Sequence, residues 1–249
     1  LSQGVIGTIV NAACIVLGGV AGLAKKTPFS AANQNLFKVA LGVFTVFYGL
    51  RLTWLSLNGP SLQIVKQLVI VVVALALGKV AGRLLHLQKA SNGLGQFARR
   101  TINAAKPDDP ARFTHGFLTC SALFCAAPLG VLGAVCGGLP IHGEPGEFLY
   151  PLVVKAVMDG LAAMGFASVF GCGVMLSAVP VLVFQGTMTL LCARFLQPVL
   201  GVAAMGSINA TAGLLIFCVA LIIFEIRRIE VTEYLPSLVF APLLTWCFR

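Results

Sequence analysis

The sequence predicts an all-α polytopic membrane protein, and three observations lead there. Apolar stretches of about 15 to 22 residues follow one another almost end to end, the length a helix needs to cross ~30 Å of hydrocarbon at 1.5 Å per residue. Hydrophobic residues make up 58% of the 249 and charged residues only 10%, which leaves too little polar surface to coat a soluble globule of this size. Mean hydropathy is +0.96, and the few charges fall mostly between the apolar runs.

The spans are expected at about 4–24, 36–56, 62–86, 113–137, 151–170, 173–194, 207–225 and 234–248. The first carries Gly18-x-x-x-Gly22, the third Gly78-x-x-x-Gly82 and the fourth Gly133-x-x-x-Gly137, spacings that let helix backbones approach closely. Lys79 lies inside the third-span motif and must snorkel to the boundary or find a partner. Between the third and fourth spans the polar interval from about Arg83 to His115 is short and shows little apolar periodicity, so no soluble catalytic domain is expected there. The fourth span is interrupted by Pro128 and the sixth by Pro180. Eight crossings result, or seven if the short last segment does not cross, in a single integral membrane domain over 1–249.

An internal echo joins the second and seventh spans: Ala40-Leu41-Gly42 and Gly49-Leu50 match Thr211-Ala212-Gly213 and Ala220-Leu221 at a constant offset of 171 residues. The copies are five spans apart, an odd step, so they run in opposite directions. The first and sixth spans agree loosely (Gly7-Thr8 and Cys14 with Gly186-Thr187 and Cys192), and the third and eighth share only apolarity. An inverted repeat of about 1–86 and 173–249, flanking a central pair of spans over 113–170, is one reading; chance likeness of apolar helices is the other.

Orientation follows from the basic residues. With Lys25 and Lys26 in the cytoplasm, alternation also places Arg83, Lys89, Arg99, Arg100, Lys106, Arg112, Arg227 and Arg228 there. The other side receives Arg51, Lys66, Arg194 and Arg249 together with Glu144 and Glu147, which puts both termini outside. The net charge of +9 therefore reads as a topology signal facing anionic lipid, not as a nucleic-acid surface.

The eight cysteines lack the paired spacing of a zinc or redox motif, and His86, His115 and His142 are not spaced as ligands; no metal or cofactor is expected. No nucleophile and base stand together within the spans, which argues against an enzyme. Asp159 is the most informative side chain. A carboxylate near the middle of a span costs ~2.5–3.5 kcal/mol unless something compensates it. Lys155 lies one turn earlier on the same face and either pairs with it or snorkels outward. In the Phe166–Gly186 stretch, which holds Ser168, Ser177 and Gln185, Pro180 removes a backbone donor, so carbonyls near Leu176 and Ser177 are expected to open toward a cavity that Gln185 also reaches. Asn11 in the first span, Thr119 and Ser121 before Pro128, and Ser207, Asn209 and Thr211 in the seventh span are weaker members of the set, each equally readable as an interhelical hydrogen bond.

Gly7-Thr8-Ile9-Val10-Asn11, Leu17-Gly18-Gly19-x-x-Gly22, Leu77-Gly78-x-x-x-Gly82, Lys155-x-x-x-Asp159-Gly160, Gly171-x-Gly173-Val174, Ser177-x-x-Pro180-Val181 and Gln185-Gly186 together resemble the bacterial inner-membrane family known as domain of unknown function 554. The resemblance spans nearly the whole chain. It implies a polytopic protein of the bacterial cytoplasmic membrane, and it brings no site residue.

From these residues the leading expectation is a small secondary transporter for a small solute or ion, coupled to a proton or Na⁺ through Asp159. A channel or pore and a non-transporting assembly factor are the alternatives; monomer and homo-oligomer both stay open. The charge asymmetry makes a direct test. In sealed right-side-out vesicles a single cysteine at position 144 should react with an impermeant thiol reagent and one at position 99 should not; equal labelling would reject the orientation.

Overall fold

The computed structural model describes residues 3–24, 31–57, 59–105, 110–139 and 150–248. The described residues are helical nearly throughout: α1 (Gln3–Ala24), α2 (Ala31–Ser56), α3 (Ser61–Leu84), α4 (Leu87–Ala104), α5 (Arg112–Ala126), α6 (Pro128–Gly138), α7 (Tyr150–Phe170), α8 (Gly173–Leu176), α9 (Ala178–Leu191), a π-helical turn (Cys192–Leu196), α10 (Val202–Ile223), α11 (Val231–Tyr234) and α12 (Ser237–Cys247). Lys25, Lys26, Lys106, His142, Glu144, Glu147 and Arg249 lie outside the described residues.

Six helical segments among the described residues are long and apolar enough to cross a bilayer: Val5–Ala24, Asn35–Ser56, Ser61–Leu84, Pro151–Phe170, Gly173–Leu196 and Val202–Ile223. A seventh crossing arises if α5 and α6, bent by 57° at Ala127, count as one span. The eighth expected span is not supported. Its residues form α11 and α12, of four and eleven residues, parted at Leu235-Pro236. Even end to end they rise only ~25 Å, short of the ~30 Å hydrocarbon core. Glu233 in α11 also pairs with Arg83 at the end of α3, which draws that part of the chain toward the polar boundary.

The polar interval after α3 is more ordered than its composition suggests. Leu94, Ala98 and Ile102 recur at helical spacing on α4, with Ala98 buried, while Lys89, Arg99 and Arg100 stay exposed. Such a face suits a helix lying along the membrane surface.

Close glycine contacts set the helix directions. Gly7 meets Leu152, Gly18 meets the Gly160 backbone and Gly22 the Met164 backbone, so α1 and α7 run parallel and nearly touch. Gly49 packs on Gly213 and Phe217, and Gly42 on Phe224, which makes α2 and α10 antiparallel. Gly78 and Gly82 pack on Ser237 and Glu233, so α3 opposes α11 and α12. Gly19 lies against Met175 and Asn11 bonds Gln185, so α1 opposes α8 and α9. The three pairs matched by the internal echo thus lie side by side and antiparallel. Gly42, Gly49 and Gly213 all fall in the α2–α10 interface, which supplies a packing reason for the shared small residues.

The same contacts gather the basic residues at one end of the bundle. Arg112, at the start of α5, donates to the Ser168 and Val169 carbonyls at the end of α7. Lys38, near the start of α2, pairs at 2.6 Å with Glu225 just past α10, and that hydrogen bond and charge hold the exposed Glu225 carboxyl below the usual range. The outward surfaces of α1, α2, α3 and α9 are lined with exposed Leu, Val and Phe, the side chains that lipid covers, whereas α10 is buried along most of its length.

Gly18 leaves no room for a side chain, because an added methyl group would overlap the Gly160 carbonyl. Gly18→Val should therefore lower the unfolding midpoint in detergent markedly, a cost of about 1–3 kcal/mol or more. Gly93, on α4, has open space around it, and Gly93→Ala should be neutral or gain up to about 1 kcal/mol of helix propensity. Equal midpoints for the two variants would contradict the α1–α7 contact.

Candidate functional site

Lys155 and Asp159 form an ion pair within α7. Lys155 is 1% exposed and Asp159 7%, so the ammonium does not snorkel to the boundary; it is held inside the bundle. The pair needs neighbours that tolerate it, and four elements provide them. From α5, the Phe124 ring lies 5.9 Å from the Lys155 ammonium, within reach of the attraction between a cation and a π face. From α6, Gly130 covers the lysine stem so closely that a methyl group there would come within 2.6 Å of Lys155 Cε and 3.0 Å of Gln185 Nε2. From α1, the Asn11 amide lies beside Asp159. Asn11 Nδ2 also donates to Oε1 of Gln185 on α9, at 3.0 Å.

The bend between α5 and α6 puts Gly130 in place. A residue before proline is driven into extended backbone, and Ala127 has φ −61° and ψ 125°. Pro128 then serves as the first residue of α6, where its missing N–H removes no intrahelical bond. The new axis, turned by 57°, carries Gly130 over Lys155 and Gln185.

Asn11 and Gln185 are both fully buried. After their mutual bond, Asn11 Oδ1 and Gln185 Nε2 have no hydrogen-bond partner among the described residues. One acceptor and one donor beside a buried ion pair leave this polar cluster with unused hydrogen-bonding capacity. Thr8, Thr119 and Ser121 also have buried hydroxyls without a partner among the described residues.

Four of the six expected site residues, Asp159, Lys155, Gln185 and Asn11, come together; the other two do not join them. Ser177 is buried, but its hydroxyl donates to the Val174 carbonyl at 2.6 Å and its own carbonyl accepts the Val181 amide at 3.3 Å. Pro180 therefore does not free that carbonyl. Its missing N–H removes the bond to the Leu176 carbonyl instead, and the helix is interrupted there, at Ser177 between α8 and α9. Ser168 is exposed at the end of α7, with its hydroxyl on Gly165 and its carbonyl held by Arg112. Two of the weaker candidates of the seventh span tie elements together: Thr245 donates to Ser207 at 2.7 Å, and Asn209 to the Leu139 carbonyl at 3.0 Å; Thr211 instead donates to the Ser207 carbonyl within α10. Phe124 and Gly130 are the neighbours that sequence reasoning missed as site members. Gly130 carried a signal in its place two residues after Pro128; Phe124 carried none. Among the described residues no three of His, Cys, Asp and Glu gather as metal ligands.

Fold and site together define a multi-pass helical membrane protein with a charged pair sealed inside its bundle. The chain belongs to the family described as protein of unknown function (DUF554), whose model matches residues 6–246. It is similar to the uncharacterized membrane protein YdfK of Bacillus subtilis (strain 168), 26% identical over 239 residues that cover 96% of this chain and 94% of that relative. It is also similar to the uncharacterized protein YqgA of Escherichia coli (strain K12), 30% identical over 240 residues covering 95% of this chain and 94% of that relative. No solved structure matches the chain.

Removing one member of a buried pair leaves the other charge uncompensated, at a cost of about 3–5 kcal/mol. Lys155→Ala and Asp159→Ala should each lower the thermal midpoint of the purified protein strongly, and the double variant should recover much of the loss. Additive losses in this mutant cycle would show that the two charges do not depend on each other.

Proposed function

We propose that this chain is a small secondary transporter of the bacterial cytoplasmic membrane, with Asp159, Lys155, Asn11 and Gln185 as the core of its solute or ion site. One observation carries the reading: a fully buried ion pair adjoins two buried amides on antiparallel helices, and those amides retain an acceptor and a donor that the protein leaves unused. A pair serving only to insert α7 would be complete without Asn11 and Gln185. The bend at Ala127 and the antiparallel pairing of the echoed spans support it as well, since transporters commonly bind at the midplane between inverted repeats, beside interrupted helices.

In this reading the Lys155 ammonium is a tethered competitor for Asp159. A proton or Na⁺ arriving at the carboxylate takes the place of the ammonium, and the released lysine needs another acceptor, a role open to Asn11 Oδ1, which has no partner among the described residues. Charge inside the bundle then changes by one unit with each binding event, and a low-dielectric site responds to such a change far more than water does. Solute binding at the amides and cation binding at Asp159 become coupled through this single side chain. The reading includes no covalent step, and it keeps the Lys25–Lys26 loop on the cytoplasmic side.

Asp159→Asn, nearly isosteric, should leave the protein folded and remove the response of its thermal midpoint to Na⁺ or to pH. Gln185→Ala should keep that cation response while weakening solute uptake into proteoliposomes. A folded Asn variant with the full cation response would take Asp159 out of the mechanism.

A further inference from the structure

A cavity that includes none of the ion-pair residues lies toward the end of the bundle where α3 and α10 finish. It has a volume of about 620 Å³, and Lys79, Arg227, Arg228, Glu230 and Tyr234 stand at its polar edge. The chain arrives there by a sharp reversal after α10. Glu225 takes a left-handed backbone, φ 60°, its amide bonds the Ile222 carbonyl, and the Ile226 amide bonds Leu221, the pattern of a helix end that normally uses glycine at this position. The Lys38 salt bridge holds Glu225 in that conformation. The reversal sends Arg227 and Arg228 back over the end of α3, where the Lys79 ammonium sits 5.3 Å from the Tyr234 ring centre.

Charge at this edge is unbalanced. The nearest other carboxylate, Glu233, is taken by Arg83 at 3.2 Å. Among the described residues Lys79, Arg227 and Arg228 make no ion pair, so three cations face the single carboxylate of Glu230. The remaining wall is apolar, formed by Leu75 one turn deeper on α3 and by Leu214, Leu215 and Cys218 on α10. From Leu221 back to Leu214 the wall runs about 10 Å along the helix. A cationic rim above an apolar trough at a membrane boundary matches the chemistry of an anionic phospholipid: a phosphate at the rim and an acyl chain along the trough. Free inorganic phosphate would satisfy the rim and leave the trough bare.

We propose that this cavity binds an anionic phospholipid, whose headgroup phosphate is held by Lys79, Arg227 and Arg228 and whose acyl chain lies along Leu75, Leu214, Leu215 and Cys218. The site is independent of whether the chain carries a solute.

Native mass spectrometry of the delipidated protein in a neutral detergent tests it, with dioleoyl-phosphatidylglycerol, dioleoyl-phosphatidylcholine and inorganic phosphate as the added probes. Phosphatidylglycerol should bind at least about tenfold more tightly than phosphatidylcholine, in line with three basic contacts at a membrane surface, and millimolar phosphate should not displace it. The triple variant Lys79→Gln, Arg227→Gln, Arg228→Gln should lose that preference, whereas Arg99→Gln, Arg100→Gln on α4 should keep it. If the triple variant does not fold, Lys79→Gln alone should weaken phosphatidylglycerol binding several-fold without affecting phosphatidylcholine. Equal binding of the two lipids, displacement by phosphate, or an equal loss in the α4 variant would each overturn the proposal.

Discussion

Two unit charges inside a bundle of apolar helices are tolerable only if they meet each other and if everything around them is either polar or packed close enough to exclude lipid. Lys155 and Asp159 impose that condition on four other elements. The helix spacing puts both on one face of α7, and the rest of the bundle closes over that face: Asn11 from α1, Phe124 from α5, Gly130 from α6 and Gln185 from α9. The sharp bend between α5 and α6 is what lets a glycine, rather than a longer side chain, reach the lysine stem. The pair is sealed well enough to persist, yet two of its amide neighbours retain unused hydrogen-bonding atoms.

The seal depends on close helix approach, and lipid supplies no hydrophobic force to press helices together, since its tails are as apolar as leucine. Small residues do that work through contact. Gly18 and Gly22 bring α1 onto α7, which positions Asn11 beside Asp159; Gly49 and Gly213 bring α2 onto α10; Gly78 and Gly82 bring α3 onto α11 and α12. Each seam joins backbone to backbone and presents its outward face of Leu, Val and Phe to the bilayer. The result is a parallel seam of α1 with α7 and antiparallel pairings of α1 with α9, α2 with α10 and α3 with α12.

Electrostatics divides the molecule along its length. In its interior one cation is matched by one carboxylate, while at the end that gathers Arg83, Arg112, Arg227 and Arg228 some cations are tied to carbonyls or acids and others are not. Arg112 closes the end of α7 and Arg83 fixes α11, both structural uses of charge. Lys79, Arg227 and Arg228 have no such duty, and they line a cavity open to the polar boundary. Lys79, which lies within a glycine motif, settles by leaning on the Tyr234 ring toward that cavity.

The sequence by itself determined the solvent and the class of fold, because a run of some 20 apolar residues has one stable conformation in hydrocarbon, a helix with its backbone bonds closed within itself. It also singled out Asp159 and Lys155, since an intramembrane charge stands out against an apolar background and the i,i+4 spacing is a local property. Gln185 and Asn11 were legible as buried amides, though not as partners: 174 residues separate them, and only the antiparallel packing of α1 and α9 brings them together. Ser177 and Ser168 show the converse. Both were polar and well placed in the chain, but short-range bonds to Val174 and Gly165 occupy their hydroxyls, a choice of rotamer that spacing does not reveal. Pro180 does interrupt its helix, at Ser177 one turn upstream, because its missing N–H removes the bond to the Leu176 carbonyl; the Ser177 carbonyl, by contrast, keeps its bond from Val181. The last segment was apolar enough to suggest a crossing, yet Pro236 and the Glu233–Arg83 bond divide it. What tertiary structure alone decided was which faces meet. In a membrane that is settled by the fit of small residues between helices distant in sequence, and hydropathy, which fixes the spans, carries no information about that fit.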